Sequence, residues 1–195
     1  MKIDVVDRVK MMIQQPAKEW ELIDREEYTV KDLFTEYAMI LAAIPAVAGF
    51  IGNSIVGLGG YLSNYRIPIP AGIAHMVLEY LFSLGSVYII ALVVDGFAPT
   101  FGAKKNFLQA LKLVVFSSTA FWLAGIFSLL PAMMILGLLG LYSLYLLYLG
   151  LPLLMNVHKD NTLPYFAVVV VASLVVNVVL FSITALAIPG QFRGF

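Results

Sequence analysis

Long apolar runs alternate with short polar stretches along this chain, and five of the runs are long enough to cross a bilayer. They cover roughly Tyr37–Val56, Ala71–Asp95, Gln109–Leu130, Ala132–Met155 and Tyr165–Ile188. Each holds 20 to 25 residues, against the roughly 20 that a helix rising about 1.5 Å per residue needs to span the hydrocarbon core. The pattern predicts an all-α fold, a polytopic membrane bundle of five transmembrane helices over residues 36–195. Residues 1–35 form a separate cytoplasmic segment ahead of it, amphipathic and interfacial.

In that segment the pattern changes. Val5, Val6, Val9, Met12 and Ile13 recur at helical spacing while Asp4, Asp7, Arg8 and Lys10 fall on other faces, so residues 4–14 read as an amphipathic helix stopped by Pro16. Its apolar face has two possible seats, the headgroup region or the bundle itself. Trp20 follows as an interfacial anchor, and residues 24–36 read as a solvated, charged connector. Thr29 with Asp32 has the form of a capping box and marks a helix start. Pro45 is a kink candidate in the first span, whose Gly49, Gly52 and Gly57 offer small surfaces for close helix contact, as Gly137 and Gly140 do in the fourth. Polar loops are expected at 57–70, 97–107 and 156–164, with a tight turn at Pro131. No internal repeat is visible, which argues against an inverted-repeat transporter fold.

Composition sharpens this picture. With 61% apolar and 12% charged residues, the chain has too few charges to cover a soluble surface. A net charge of zero gives no basic field for nucleic acid, and the lack of Cys removes disulfides, thiolate catalysis and Cys-based metal sites. The first 35 residues hold no apolar core of the signal-peptide kind, so the first span is expected to act as the targeting signal. Charge also predicts orientation. Lys2, Arg8, Lys10, Lys18, Arg25, Lys31, Lys104, Lys105 and Lys159 fall on one side, and Arg66 and Arg193 on the other. The positive-inside rule then places the N-terminus in the cytoplasm and the C-terminus outside the inner (cytoplasmic) membrane.

The chemistry-bearing residues are few. His75, Glu79, Ser83 and Ser86 in the second span are spaced by four, four and three, so they share one helical stripe. In the predicted orientation His75 lies about 6 Å and Glu79 about 12 Å below the outer helix end. A charged carboxylate at that depth costs at least about 3 kcal/mol. Two readings follow. The stripe is a proton or cation site facing water, or it is an interhelical hydrogen-bond network reaching residues such as Asn177 in the fifth span. A metal site lacks ligands, since His158 belongs to the opposite membrane face, and no cofactor is implied. Asp95 and Lys112 both fall near the cytoplasmic boundary, where they are expected to form an ion pair. Tyr142, Tyr145 and Tyr148 read as packing residues. HExxH, GxSxG, P-loop and GxGD-type patterns are absent, and GLGGY at 57–61 lacks the strand–helix context of a phosphate cradle.

Three segments carry a family resemblance: PAKEWELIDREE before the first span, FGAKKNFLQALKLVVFSSTAFWLAGI into the third, and LYSLYLLYLGLPLLMNVHKDNTLPYFAVVVV over the fourth and fifth. Through them the chain resembles prokaryotic members of the Yip1-domain superfamily, small five-span membrane proteins with a cytoplasmic N-terminus. Asp32-Leu33-Phe34 echoes an acidic-Leu-Tyr motif of eukaryotic relatives, but Phe replaces Tyr and the following Gly-Pro is missing, so no role transfers to it. The resemblance implies a membrane-embedded non-enzyme. Eukaryotic relatives act in vesicle traffic between endoplasmic reticulum and Golgi, contact Rab-type GTPases and associate with one another. Two functions compete for this chain. One is a scaffold or adaptor organising lipid or partner proteins, as a homo- or hetero-oligomer. The other is a small channel or transporter for protons, cations or a small solute, working through His75 and Glu79.

Overall fold

The computed structural model describes residues 4–57 and 66–187, and every regular element among them is helical. Lys2, most of the GLGGY loop, Ile188, Arg193 and the C-terminal PGQFRGF lie outside the described residues. Five helices are long and apolar enough to cross a membrane: Val30–Val56, Ile69–Phe101, Phe107–Leu129, Ile135–Leu154 and Lys159–Ile183, the first to fifth spans. Two short helices precede them, α1 (Val5–Gln14) and α2 (Pro16–Arg25).

Local signals explain most boundaries. Asp4 caps α1, its carboxylate accepting from the Val6 and Asp7 amides at 3.0 and 3.2 Å. Pro16 opens α2, where its missing N–H costs nothing. Thr29 and Asp32 form the expected capping box, so the first span begins at Val30. The second span runs on to Phe101, and Asn106 caps the third by accepting from the Gln109 amide at 3.2 Å, which shortens the expected loop. The polar 156–164 stretch is a correction. The helix starts at Lys159, because the His158 carbonyl takes the Asn161 amide at 2.9 Å and the Thr162 hydroxyl at 3.2 Å.

The two ends of the bundle differ. At the end that carries α1 and α2, large side chains fill the interior: Met12, Trp20, Leu33, Tyr37, Phe116, Leu146 and Tyr165 are all buried. α1 turns Val5, Val9 and Met12 onto this core and leaves Val6 and Ile13 exposed. Trp20 is not an interfacial anchor. It is 1% exposed, meets Phe116 edge-on at 6.5 Å between centroids, and occupies a slot left open by Gly150, whose added Cβ would lie 2.7 Å from the indole. Tyr142 donates to the Ile13 carbonyl at 3.2 Å and packs on Tyr145, and Tyr148 meets Phe166, in keeping with packing roles.

A second correction concerns Lys112. It does not pair with Asp95. Buried at 4% exposure, its ammonium donates to the carbonyls of Ile23 and Glu26 at 3.2 and 2.6 Å and lies 5.4 Å from the Tyr28 ring. The C-terminal carbonyls of α2 have no partners within their own helix and carry the negative end of its dipole, so they attract a cation more strongly than a distant carboxylate does. Lys112→Met should therefore lower stability by about 2 kcal/mol, the scale of a lost charged hydrogen bond. A lower thermal midpoint in detergent, with the α-helical signal unchanged at low temperature, would register it.

Candidate functional site

In the other half of the bundle, distal to α1 and α2, the helices change character. The first span ends in a π-helical stretch, Ile51–Val56, and the third ends in a 3-10 turn, Gly125–Leu129. The fourth starts with eleven residues of 3-10 helix, Pro131–Leu141, where an unbroken α-helix was expected. Such segments are uncommon at this length and often mark functional regions. The same half holds a cavity of about 510 Å³ to which all five spans contribute, with Gly125, Phe127, Ser128 and Gly137 coming from the 3-10 segments.

The stripe read from the sequence lies on its wall. His75, Glu79, Ser83 and Ser86 line the cavity from the second span, and Asn177 lines it from the fifth. His75 Nδ1 stands 3.7 Å from Glu79 Oε2, an i,i+4 approach beyond hydrogen-bond length. Glu79 itself has no hydrogen bond to any described residue, and its side chain is 37% exposed. Gly49 of the first span gives it room, since an added Cβ there would sit 3.4 Å from Glu79 Oε2.

The serines are already engaged at the floor. Ser83 Oγ accepts from Trp122 Nε1 at 2.9 Å, and Ser86 Oγ donates to the Ser83 carbonyl at 2.8 Å. Asn177 donates to the Ser173 carbonyl of its own helix at 2.8 Å. The stripe is thus split. Ser83 belongs to an interhelical bond, while Glu79 and His75 line the cavity, Glu79 Oε2 packing close to Gly49 of the first span without an interhelical hydrogen bond.

Sequence reasoning missed the apolar part of the lining: Pro45, Phe82, Phe121, Phe127 and Phe181, with Gly137 on the fourth span. Spacing carried part of that signal. Phe121, Ala124, Gly125 and Ser128 recur at i, i+3, i+4 and i+7, and Asn177, Leu180 and Phe181 at i, i+3 and i+4. In a uniformly apolar span, however, a lining face and a lipid-facing one look alike. Asp95 and Lys112 lie outside this lining, and among the described residues no three His, Asp or Glu side chains converge on a metal-sized site.

What the arrangement can do chemically is narrow. It offers one carboxylate, one imidazole and a few hydroxyl and amide groups, set among phenyl rings in a space much larger than a single ion.

Comparison with known proteins places this architecture. The chain is 26% identical over 189 residues to the inner membrane protein YohC of Escherichia coli (strain K12), covering 94% of this chain and 97% of that relative. The YohC protein of Escherichia coli O6:H1 (strain CFT073) aligns with the same identity and coverage. No solved structure matches. The Yip1 domain family model matches residues 10–181, from within α1 into the last turn of the fifth span, and the chain belongs to the Yip1 domain family.

Proposed function

We propose that this integral membrane protein is a solute-binding membrane protein of transporter type, without catalytic activity, whose site is the distal cavity. The observation that carries this reading is Glu79. A carboxylate at membrane depth, with His75 Nδ1 at 3.7 Å as its ionisable neighbour but hydrogen-bonded by no described residue, and lining a cavity shared by five spans, is an expensive arrangement for a purely structural residue. A structural carboxylate is ordinarily hydrogen-bonded, because one left without donors destabilises the fold. Glu79 retains instead the capacity to take a proton or a cationic group.

The distribution of Lys and Arg supports a cytoplasmic N-terminus, and the cavity then opens in the outer half of the membrane. The packed core around Trp20, Tyr37 and Phe116 lies beneath it. A binding site that closes on one side and opens on the other suits a transporter or receptor better than an open channel.

Purified protein in liposomes should support a proton or cation flux that Glu79→Gln reduces at least about tenfold, an effect of about 1.4 kcal/mol on the rate-limiting free energy. Equal flux through the variant would sink this reading.

The scaffold reading has its own supporting feature, the exposed outer face of the N-terminal helices with Val6, Ile13 and Leu22. Val9 is half-buried and Met12 buried within the bundle, so the exposed Val6 and Ile13 are the positions to probe. A Val6→Glu/Ile13→Glu variant that stays folded yet loses bilayer or partner association would favour the scaffold, and unchanged association would count against it.

A further inference from the structure

We infer that the ligand class of the distal cavity is a lipophilic organic cation: one delocalised or quaternary positive charge carried on aromatic or alkyl bulk. The inference rests on the reading of the cavity as a solute site and goes on to name what enters it.

Three independent features point the same way. The first is the chemistry of the lining. Glu79 supplies one negative charge, and Phe82, Phe121, Phe127 and Phe181 stand around the same space. Phenyl faces attract cations that shed their water easily, which describes quaternary ammonium and phosphonium ions and not small metal ions. Alkali and alkaline-earth ions need several oxygens converging at short range. Here Ser83 already accepts from Trp122, and the Asn177 amide is turned back to its own helix.

The second is size. The cavity measures about 510 Å³, inside the range of about 300–1,000 Å³ that holds drug-sized molecules. A bare ion or a single water, whose share of liquid volume is about 30 Å³, would leave most of it unfilled.

The third is access. Gly137 of the fourth span lines the cavity, and a Cβ added there would meet nothing within 4 Å. Phe121 and Phe181 are 59% and 67% exposed beside it. The fifth span packs on the fourth along Tyr142–Leu154, so the two separate where the fourth turns to 3-10 helix. The opening therefore faces sideways, at the depth of the apolar spans. A ligand entering by that route must first partition into the bilayer, which selects for lipophilic molecules.

The test is a calorimetric titration of the full-length protein in nanodiscs with tetraphenylphosphonium. Parallel titrations use triphenylphosphine oxide, a bulky neutral analogue, and sodium and potassium chloride. Saturable binding of tetraphenylphosphonium is expected, about tenfold weaker in Glu79→Gln and absent or much weaker for the neutral analogue. Gly137→Phe, which places a ring in open space, should reduce binding without altering the charge of the site. Equal affinity for the neutral analogue would overturn the inference, as would tetraphenylphosphonium binding that is indifferent to both substitutions. No tetraphenylphosphonium binding alongside a Glu79-dependent proton or cation flux would overturn the ligand class and leave the solute-site reading standing. Failure of binding and flux together would remove both.

Discussion

Arg8→Ala should destabilise the protein by about 3 kcal/mol or more, the cost of breaking a buried ion pair by removing one partner. Arg8 joins α1 to α2 and to the connector before the first span. Its side chain is 10% exposed, and the guanidinium bonds Glu19 and donates to Glu26 Oε2 at 2.6 Å and to the Tyr28 hydroxyl at 2.9 Å. It also lies 5.7 Å over the Phe116 ring. Burial works against the Arg8 charge, but the bond to Glu26 and the proximity of Tyr28 and Glu19 outweigh it and hold its pKa above the ordinary value. Removing the guanidinium strands Glu19, which is 3% exposed, with a charge and no counter-ion. The measurement is the thermal midpoint of the detergent-solubilised protein, with protease sensitivity of α1 as a second readout. Arg8→Met combined with Glu19→Gln should recover part of the loss, because it removes the stranded charge as well. A double variant as unstable as Arg8→Ala would show that packing, not charge, sets the cost. Tyr28 adds a pH dependence. Burial and its bond to Glu26 raise its pKa, so its contribution is full below the ordinary tyrosine value of about 10 and declines only as pH rises beyond that.

This cluster shows where sequence reading stops. Spacing and hydropathy announced the five spans, the Thr29–Asp32 cap and the His75–Glu79 stripe, because those are local signals repeated within one helix. Asn177, expected as a hydrogen-bond partner of that stripe, lines the same cavity but donates to its own helix. The partners of Lys112 and the seat of Trp20 differ from what spacing predicts, since both depend on where α2 docks. That docking is fixed by Gly150 and by the free carbonyls at the end of α2, and neither leaves a mark on the periodicity of the third span. The phenyl lining was invisible for a related reason. In water an inward apolar face stands out against a polar one, whereas in a bilayer both faces of a helix are apolar.

Gly52→Ala should cost more than any other glycine-to-alanine change around the distal cavity. Gly52 lies in the π-helical end of the first span, and a Cβ there would fall 1.9 Å from the Ser128 carbonyl oxygen, 3.1 Å from its carbon and 3.3 Å from the Leu129 oxygen. The obstacle is backbone, so no rotamer change can make room. The first and third spans must separate, and overpacking of this kind costs about 3 kcal/mol or more where the neighbour cannot yield. Truncating the side chain opposite, Ser128→Gly, should give no rescue. Gly137→Ala supplies the contrast, because its added methyl meets open space and gains helix propensity of up to about 1 kcal/mol. The two changes are chemically identical and sit in the same half of the bundle, so comparing their thermal midpoints isolates the spacing of the first and third spans. Because Ser128 and Pro45 line the cavity from those two spans, the Gly52 variant should also lose any ligand binding there even where it remains folded, while Gly137→Ala keeps it. If Gly52→Ala left both midpoint and binding intact, the first span would not approach the Ser128 carbonyl, and the cavity would have a different wall.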